Sequence, residues 1–419
     1  MIVMTVSTMR KVAVSILVIV IVVISGCLGN HSQNAGTALP THSGSNPPET
    51  SPAGTTTVAP TAPPERQDTS DHALLASLYP ELEKELEQNR IISSLRPDAG
   101  YTVRVFAGMA RERPLTPAEV EVLRATLRAN NCYFSTHSPP EKSYHVISFS
   151  KERPLESVPY IGCSNFTSML PFVYYKGRGF QYYPVTASNW AYHYLKTGQV
   201  KRAEALLSEM LPLMDEVNTS QGKAGVFRVY FSPPEGSPVP WTSSFSQGML
   251  AGLYAWLYNE TGNETYLNAS RLLFNSFYIP LRDGGFLRET EYGTWFLEYP
   301  YRPGFLVLNG HIITMKGLWL YYRFTGDERA LELFNEGLES VKKALRDCDT
   351  GEWSLYSVNG PEAREDYHRL HIRLLVWLYA RTGDGIFLEY AEKWNGYLEK
   401  KGLKKENINA LLQQVRYAP

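Results

Sequence analysis

The segment Trp295–Gly310 reads Trp-Phe-Leu-Glu-Tyr-Pro-Tyr-Arg-Pro-Gly-Phe-Leu-Val-Leu-Asn-Gly. A carboxylic acid, Glu298, stands beside a phenol, Tyr299, among aromatic rings. Pro300 and Pro303 remove backbone donors and block regular helix. Both side chains are therefore expected in a shaped loop, ahead of an apolar run beginning near Phe305. An acid flanked by aromatics suits acid–base work on a sugar; an ordinary inter-helix loop with a solvated Glu is the plain alternative. A second candidate is Asp366-Tyr-His-Arg-Leu-His-Ile-Arg. There His368 and His371 share one helix face at a spacing of three, beside Tyr367. Such a pair is more often structural than a ligand pair. No third ligand and no zinc-type Cys/His spacing accompanies it, so no metal is expected.

The elements that must hold these residues follow from a repeat. Thr-Gly pairs occur at Thr197-Gly198, Thr261-Gly262, Thr325-Gly326 and Thr382-Gly383, each with a Tyr three residues earlier (Tyr194, Tyr258, Tyr322, Tyr379). An apolar helical run precedes each pair and an amphipathic one follows. Gly just past a helix end is the expected left-handed cap. Each unit is thus a helix–turn–helix hairpin, and the fold class is mainly α: an α/α toroid of four hairpins. Gly248, Gly252 and Gly317 allow close helix approach. The links between hairpins, roughly 218–240, 280–303 and 347–365, are long enough to suggest function and must share one rim. Each carries a Gly-aromatic piece that reads as a β-hairpin. Tyr182, Arg228, Trp241, Arg288, Glu298, Tyr299, Tyr356, Tyr367, His368 and His371 fall on or just inside that rim.

Ahead of the body, residues 72–162 read as a small accessory α+β or helical region. Pro80 starts a helix over Glu81–Arg90, and Thr116 with Glu119 forms a capping box for a helix to about Ala129. Tyr101–Ala107 and Tyr144–Ser150 alternate like strands. The toroid is assigned to 163–419. Residues 1–27 resemble a signal peptide: Arg10 and Lys11, the apolar run Val12–Ile24, then Ser25-Gly26-Cys27. Cys27 is the expected lipid attachment point, with an uncleaved membrane helix as the alternative. Either places the body outside the cytoplasmic membrane, tethered to its outer face. Residues 28–71, rich in Ser, Thr and Pro, read as a disordered stalk. A Cys132–Cys163 bridge is possible in that compartment. Lys+Arg total 41 against 42 Asp+Glu, so nothing points to nucleic acid.

Several motifs together resemble the D-glucuronyl C5-epimerases, over that family's C-terminal helical domain. They are Gly179-Phe-Gln-Tyr182-Tyr-Pro, Trp241-Thr-Ser-Ser-Phe-Ser-Gln247-Gly248, Trp295 through Asn309-Gly310, Asp349-Thr-Gly-Glu-Trp-Ser-Leu-Tyr356, and Asp366-Tyr367-His368-Arg-Leu-His371. The resemblance implies inversion at C5 of a uronate in an acidic polysaccharide. Such chemistry needs two proton-transfer groups on opposite sides of the ring and donors that hold the carboxylate as charge builds. It obliges no cofactor. By motif, Glu298 and Tyr367 are implied to flank the sugar, with Tyr299 and Tyr356 as further site tyrosines. Tyr182, Arg228, Trp241, Gln247, Arg288, Asn309, His368 and His371 are the expected substrate contacts. Where the family has Asp-Leu-Arg after the site tyrosine, this chain has Ser357-Val358-Asn359. The candidate substitutes for that cation are Arg288, Arg228, Arg364 and Arg373, with Arg288 and Arg228 as solvated loop charges the plain alternative. The competing readings are a polysaccharide hydrolase or lyase, and a non-catalytic glycan-binding lipoprotein. A hydrolase would need a second carboxylate, Asp366 or Glu289, beside Glu298.

Overall fold

A computed structural model describes residues 64–232 and 236–416. Cys27 and the expected signal segment lie outside the described residues, as does most of the expected stalk. Its last residues, however, already belong to helix α1 (Pro64–Leu78), where Asp71 is buried against Arg111. Helices α2 (Glu83–Leu95), α3 (Tyr101–Glu112) and α4 (Pro117–Thr136) follow. The capping box forms as expected: Thr116 accepts from the Glu119 N–H, and the Glu119 carboxylate accepts from the Thr116 N–H. Tyr101–Ala107 is helix, not strand. Its buried residues Thr102, Val103, Phe106 and Ala107 follow helical spacing, and the β-branched residues that suggested a strand pack inward from α3.

Strand β1 (His145–Ser148) joins β2 (Pro171–Tyr175) and β3 (Gly179–Tyr182) in an antiparallel sheet, β1-β2-β3. This sheet and the Cys132–Cys163 disulfide lock the accessory helices to the body. One hydrophobic core runs through both, from Leu75 to Leu411.

The body consists of four helical hairpins. The inner helices are α5 (Pro184–Lys196), α7 (Ser244–Thr261), α9 (Leu308–Thr325) and α11 (Glu365–Thr382). Each is followed by an amphipathic outer partner: α6 (Val200–Met210), α8 (Glu264–Asn275), α10 (Glu328–Ala344) and α12 (Gly385–Lys400). A last helix, α13 (Ile408–Arg416), packs on α11. The four repeat glycines all take the left-handed conformation, with φ of 71–72°. Each repeat Thr donates its hydroxyl to the carbonyl four residues back, at 2.7–2.9 Å. In the last three units the residue after Gly is Asn263, Asp327 or Asp384. Its side chain caps the next helix by accepting from Thr265, Arg329 or Ile386 N–H. The repeat is thus a Thr-Gly-Asx turn that ends one helix and starts the next.

The widest helix contact is α7 on α9. Gly248, Gly252 and Gly317 lie in it, and a Cβ on Gly317 would overlap the Gly248 backbone. The ring closes inwardly: Lys316 of α9 reaches Tyr192 of α5, which also lies within electrostatic reach of Arg381 on α11. At the other end the links form the hairpins β4–β5 (Asp215–Thr219, Gly222–Val226) and β6–β7 (Leu287–Thr290, Gly293–Phe296), and a bridged turn at 349–362.

Candidate active site

The loop carrying Glu298 is held from several sides. His311, on the first turn of α9, accepts from Phe296 N–H through Nδ1 and donates to Gly337 carbonyl through Nε2, while stacking on Trp295 at 4.2 Å. Leu297 donates to Phe286 carbonyl and accepts from Ser244 N–H at the start of α7. Beyond the two prolines, Leu306 accepts from Val358 N–H, and Leu308 donates to Tyr356 carbonyl. The second link is therefore stapled to α7, α9 and the third link, and the elements bearing Glu298, Asn309, Tyr356 and Tyr367 meet on one rim.

Glu298 is 2% exposed and lies against Gly310, where a Cβ would come within 2.8 Å of its own Cβ. Glycine at 310 is thus what makes room for the acid. Burial pushes the carboxyl up to about 7, and a hydrogen bond from Tyr299 opposes the rise. Its Oε2 has no partner among the described residues, and neither has Asn309 Oδ1. An aromatic wall leads away from it. Tyr299 packs on Trp241 and Phe305, Phe305 on Tyr356, and Tyr356 edge-on against Tyr367 at 4.9 Å between centroids. The Tyr367 hydroxyl is buried without a hydrogen bond among the described residues. The Arg364 guanidinium lies 5.6 Å from the Tyr367 ring and pairs with Asp366.

Trp241 donates Nε1–H to Phe231 carbonyl and presents its ring to Tyr299 and Tyr301. Six expected contacts are not of that kind. Gln247 accepts from Phe227 N–H and donates to Gly225 carbonyl and Ser276 Oγ, so its amide braces the first link. Arg228 pairs with Asp215 at 3.3 Å, and Arg288 donates to Pro303 carbonyl. Tyr182 is buried near Tyr230, Glu209 and Tyr254 rather than beside Glu298. His368 donates Nε2–H to Trp394 carbonyl, so its Nδ1 must accept, taking Ser354 N–H and Oγ–H at 3.2 and 2.7 Å. Ser354 Oγ can then only accept from His371 Nδ1–H, at 3.0 Å. His371 is left with a buried Nε2 lone pair that meets no partner among the described residues, and burial drops the imidazole to about 3 and His368 to about 4. These imidazoles are neutral and pin the third link to α11. Arg373 pairs with Glu406, away from the rim.

Among the described residues no carboxylate perturbs Glu298. Glu289 is bonded to Thr294 and Asp366 to Arg364. Among the described residues, then, neither candidate for the second acid of a hydrolase pair lies free beside it. Sequence reading missed Tyr301 and Phe305 in the aromatic wall; their place inside the Trp295–Gly310 motif was the available signal. It also missed Gly310 as the space-maker for Glu298.

A ring of helical hairpins thus carries a buried acid and a row of tyrosines on its β-hairpin rim. The family pattern described as D-glucuronyl C5-epimerase C-terminus matches residues 221–396. An uncharacterized protein of Methanocaldococcus jannaschii, MJ1128, is 36% identical over 210 residues, 49% of this chain and 68% of that one. The D-glucuronyl C5-epimerase of Caenorhabditis elegans is 30% identical over 186 residues, 40% of this chain. The match spans only 30% of that epimerase's own length. A solved sugar epimerase from a ruminal bacterium aligns with a TM-score of 0.35 at 17% identity, over 54% of this chain and 62% of that one. Through the domain at residues 221–396 the chain belongs to the D-glucuronyl C5-epimerase C-terminal family.

Proposed function

We propose that the protein is a C5-epimerase of uronic acid residues in a cell-surface or extracellular polysaccharide, tethered outside the cytoplasmic membrane through its N-terminal segment. The observation that carries this reading is the Glu298 carboxyl: buried, raised to about 7, with one oxygen unspent. Beside it runs an aromatic wall that ends at the unpartnered Tyr367 hydroxyl. A base poised near neutral pH is what removal of a weakly acidic C–H requires. Glu298 takes the C5 proton, and the electron pair of that bond moves into the adjoining carboxylate. The Tyr367 O–H returns a proton to C5 from the opposite face. In the reverse direction the two groups exchange roles. Asn309 Oδ1 is placed to accept from a sugar hydroxyl, and Trp241 and Tyr299 offer ring faces for stacking.

Incubation of glucuronate-containing polymers in D2O tests this reading, with NMR detection of deuterium at C5. Exchange is expected, rising with pH as Glu298 ionises through about 7. E298Q and Y367F should abolish it. New reducing ends, unsaturated uronates, or no exchange with any uronate polymer would overturn it.

A further inference from the structure

The aromatic wall beside Glu298 bears two guanidinium groups. Arg364, over the Tyr367 ring, pairs with Asp366. Arg302 lies 4.3 Å over the Phe305 ring, is exposed to solvent, and meets no carboxylate among the described residues. The backbone fixes where it stands. Arg302 donates its N–H to Tyr299 carbonyl at 2.9 Å, and its own carbonyl accepts from Phe305 N–H at 2.8 Å. Two successive tight turns therefore carry the chain from Tyr299 to Phe305. Pro300 and Pro303 stand second in them, the position their fixed φ suits. From strand β6, Arg288 donates to Pro303 carbonyl and braces the second turn. Residues 299–305 contain no acid, so Arg288 adds positive charge to this turn and nothing on it cancels either guanidinium. Beneath Arg302, the Phe305 ring packs on Tyr299 at 6.3 Å and on Tyr356 at 5.8 Å. Arg302 is thus one ring removed from Tyr299, the tyrosine that bonds Glu298, and from Tyr356 on the third link. A guanidinium resting on a ring is ordered by it, and keeps its N–H fork for a planar oxyanion. The exposed face of Arg302 is the open side of the wall.

We infer that Arg302 selects the glycan by charge: it takes an acid group, carboxylate or sulfate ester, on the sugar unit adjoining the one at Glu298. The neighbouring unit is the fit because Glu298 is buried, whereas Arg302 stands exposed one ring further along the wall. This rests on the acidic-glycan reading above, not on its proton transfer. Arg228, Arg364 and Arg373 are each paired with a carboxylate. That leaves Arg302, among the described residues of the wall, to meet a charged chain.

Titration calorimetry of the full chain carrying E298Q tests this, since that variant should bind the polymer without turning it over. The probes are a glucuronate-containing polymer, its carboxyl-reduced form, and the reduced form after O-sulfation. E298Q should bind the native polymer about tenfold more tightly than the reduced one. E298Q/R302Q should bind both equally, at the affinity E298Q shows for the reduced polymer. That residual binding reports that the wall has kept its shape. R302K should recover only part of the preference, because an ammonium lacks the planar fork. Tight binding regained on sulfation and lost again with R302Q makes sulfate a ligand of the site; without that gain its ligand is the carboxylate. A preference for the native polymer that survives R302Q, no preference in E298Q, or no binding of the native polymer overturns the inference. A preference that depends on Arg302, in a protein whose wild type shows no C5 exchange, would instead count against the epimerase reading alone.

Discussion

The buried acid at the rim should destabilise the fold in a pH-dependent way, and E298Q isolates that effect. In the unfolded chain the carboxyl titrates near 4.5, whereas in the fold it is held at about 7. Below pH 4.5 both states carry the proton and the residue costs nothing. Between 4.5 and 7 the unfolded chain releases its proton first, so stability falls as pH rises. Above 7 the penalty is constant at about 3 kcal/mol, from 1.36 kcal/mol for each pH unit separating the two values. Gln keeps the shape and can still accept from Tyr299, but it has no charge to lose. Urea unfolding followed by tryptophan fluorescence at pH 4 to 8 measures the difference. E298Q and wild type should match near pH 4, and E298Q should be about 3 kcal/mol more stable at pH 8. A difference that does not change with pH, or a wild type more stable at pH 8, would refute the argument that burial governs this acid.

Three further predictions concern the scaffold. G317A forces a methyl into the Gly248 backbone across the α7–α9 contact, and should lower the thermal midpoint sharply. G396A, in open space on α12, should raise stability by about 0.5–1 kcal/mol, and both are read by differential scanning calorimetry. Q247A removes three buried hydrogen bonds and should cost about 3 kcal/mol in denaturant titration. Because Gln247 touches links rather than sugar, KM for a polymer substrate should not move in the folded fraction.

Much of the scaffold was legible because its signals are local. A Thr and a Gly settle a helix end, a capping Asx after them in the last three units settles the next helix start, and four such Thr-Gly turns announce the hairpins. Tyr101–Ala107 was misread because Thr102, Val103 and Val105 favour strands in isolation, and only packing of α3 reveals the helical face. The site divides along the same line. Glu298 stands out through its own aromatic and proline neighbours. Gln247 and His368 look equally chemical in sequence, yet their partners lie at Phe227 and Ser276, and at Ser354 and Trp394, too far along the chain for spacing to show.

The Thr-Gly-Asx turns have one more consequence. Helices α7, α9 and α11 are all 18 residues long, whereas their outer partners run from 12 to 17 and the rim links differ in length. Each turn satisfies its own hydrogen bonds and commits no side chain to the site. Insertions and deletions can therefore accumulate on the rim while the depth of the lumen, about 27 Å at 1.5 Å per residue, stays fixed. A duplicated hairpin arrives with its fold already specified and its loop free to diverge. That separates the inheritance of the barrel from the inheritance of its substrate.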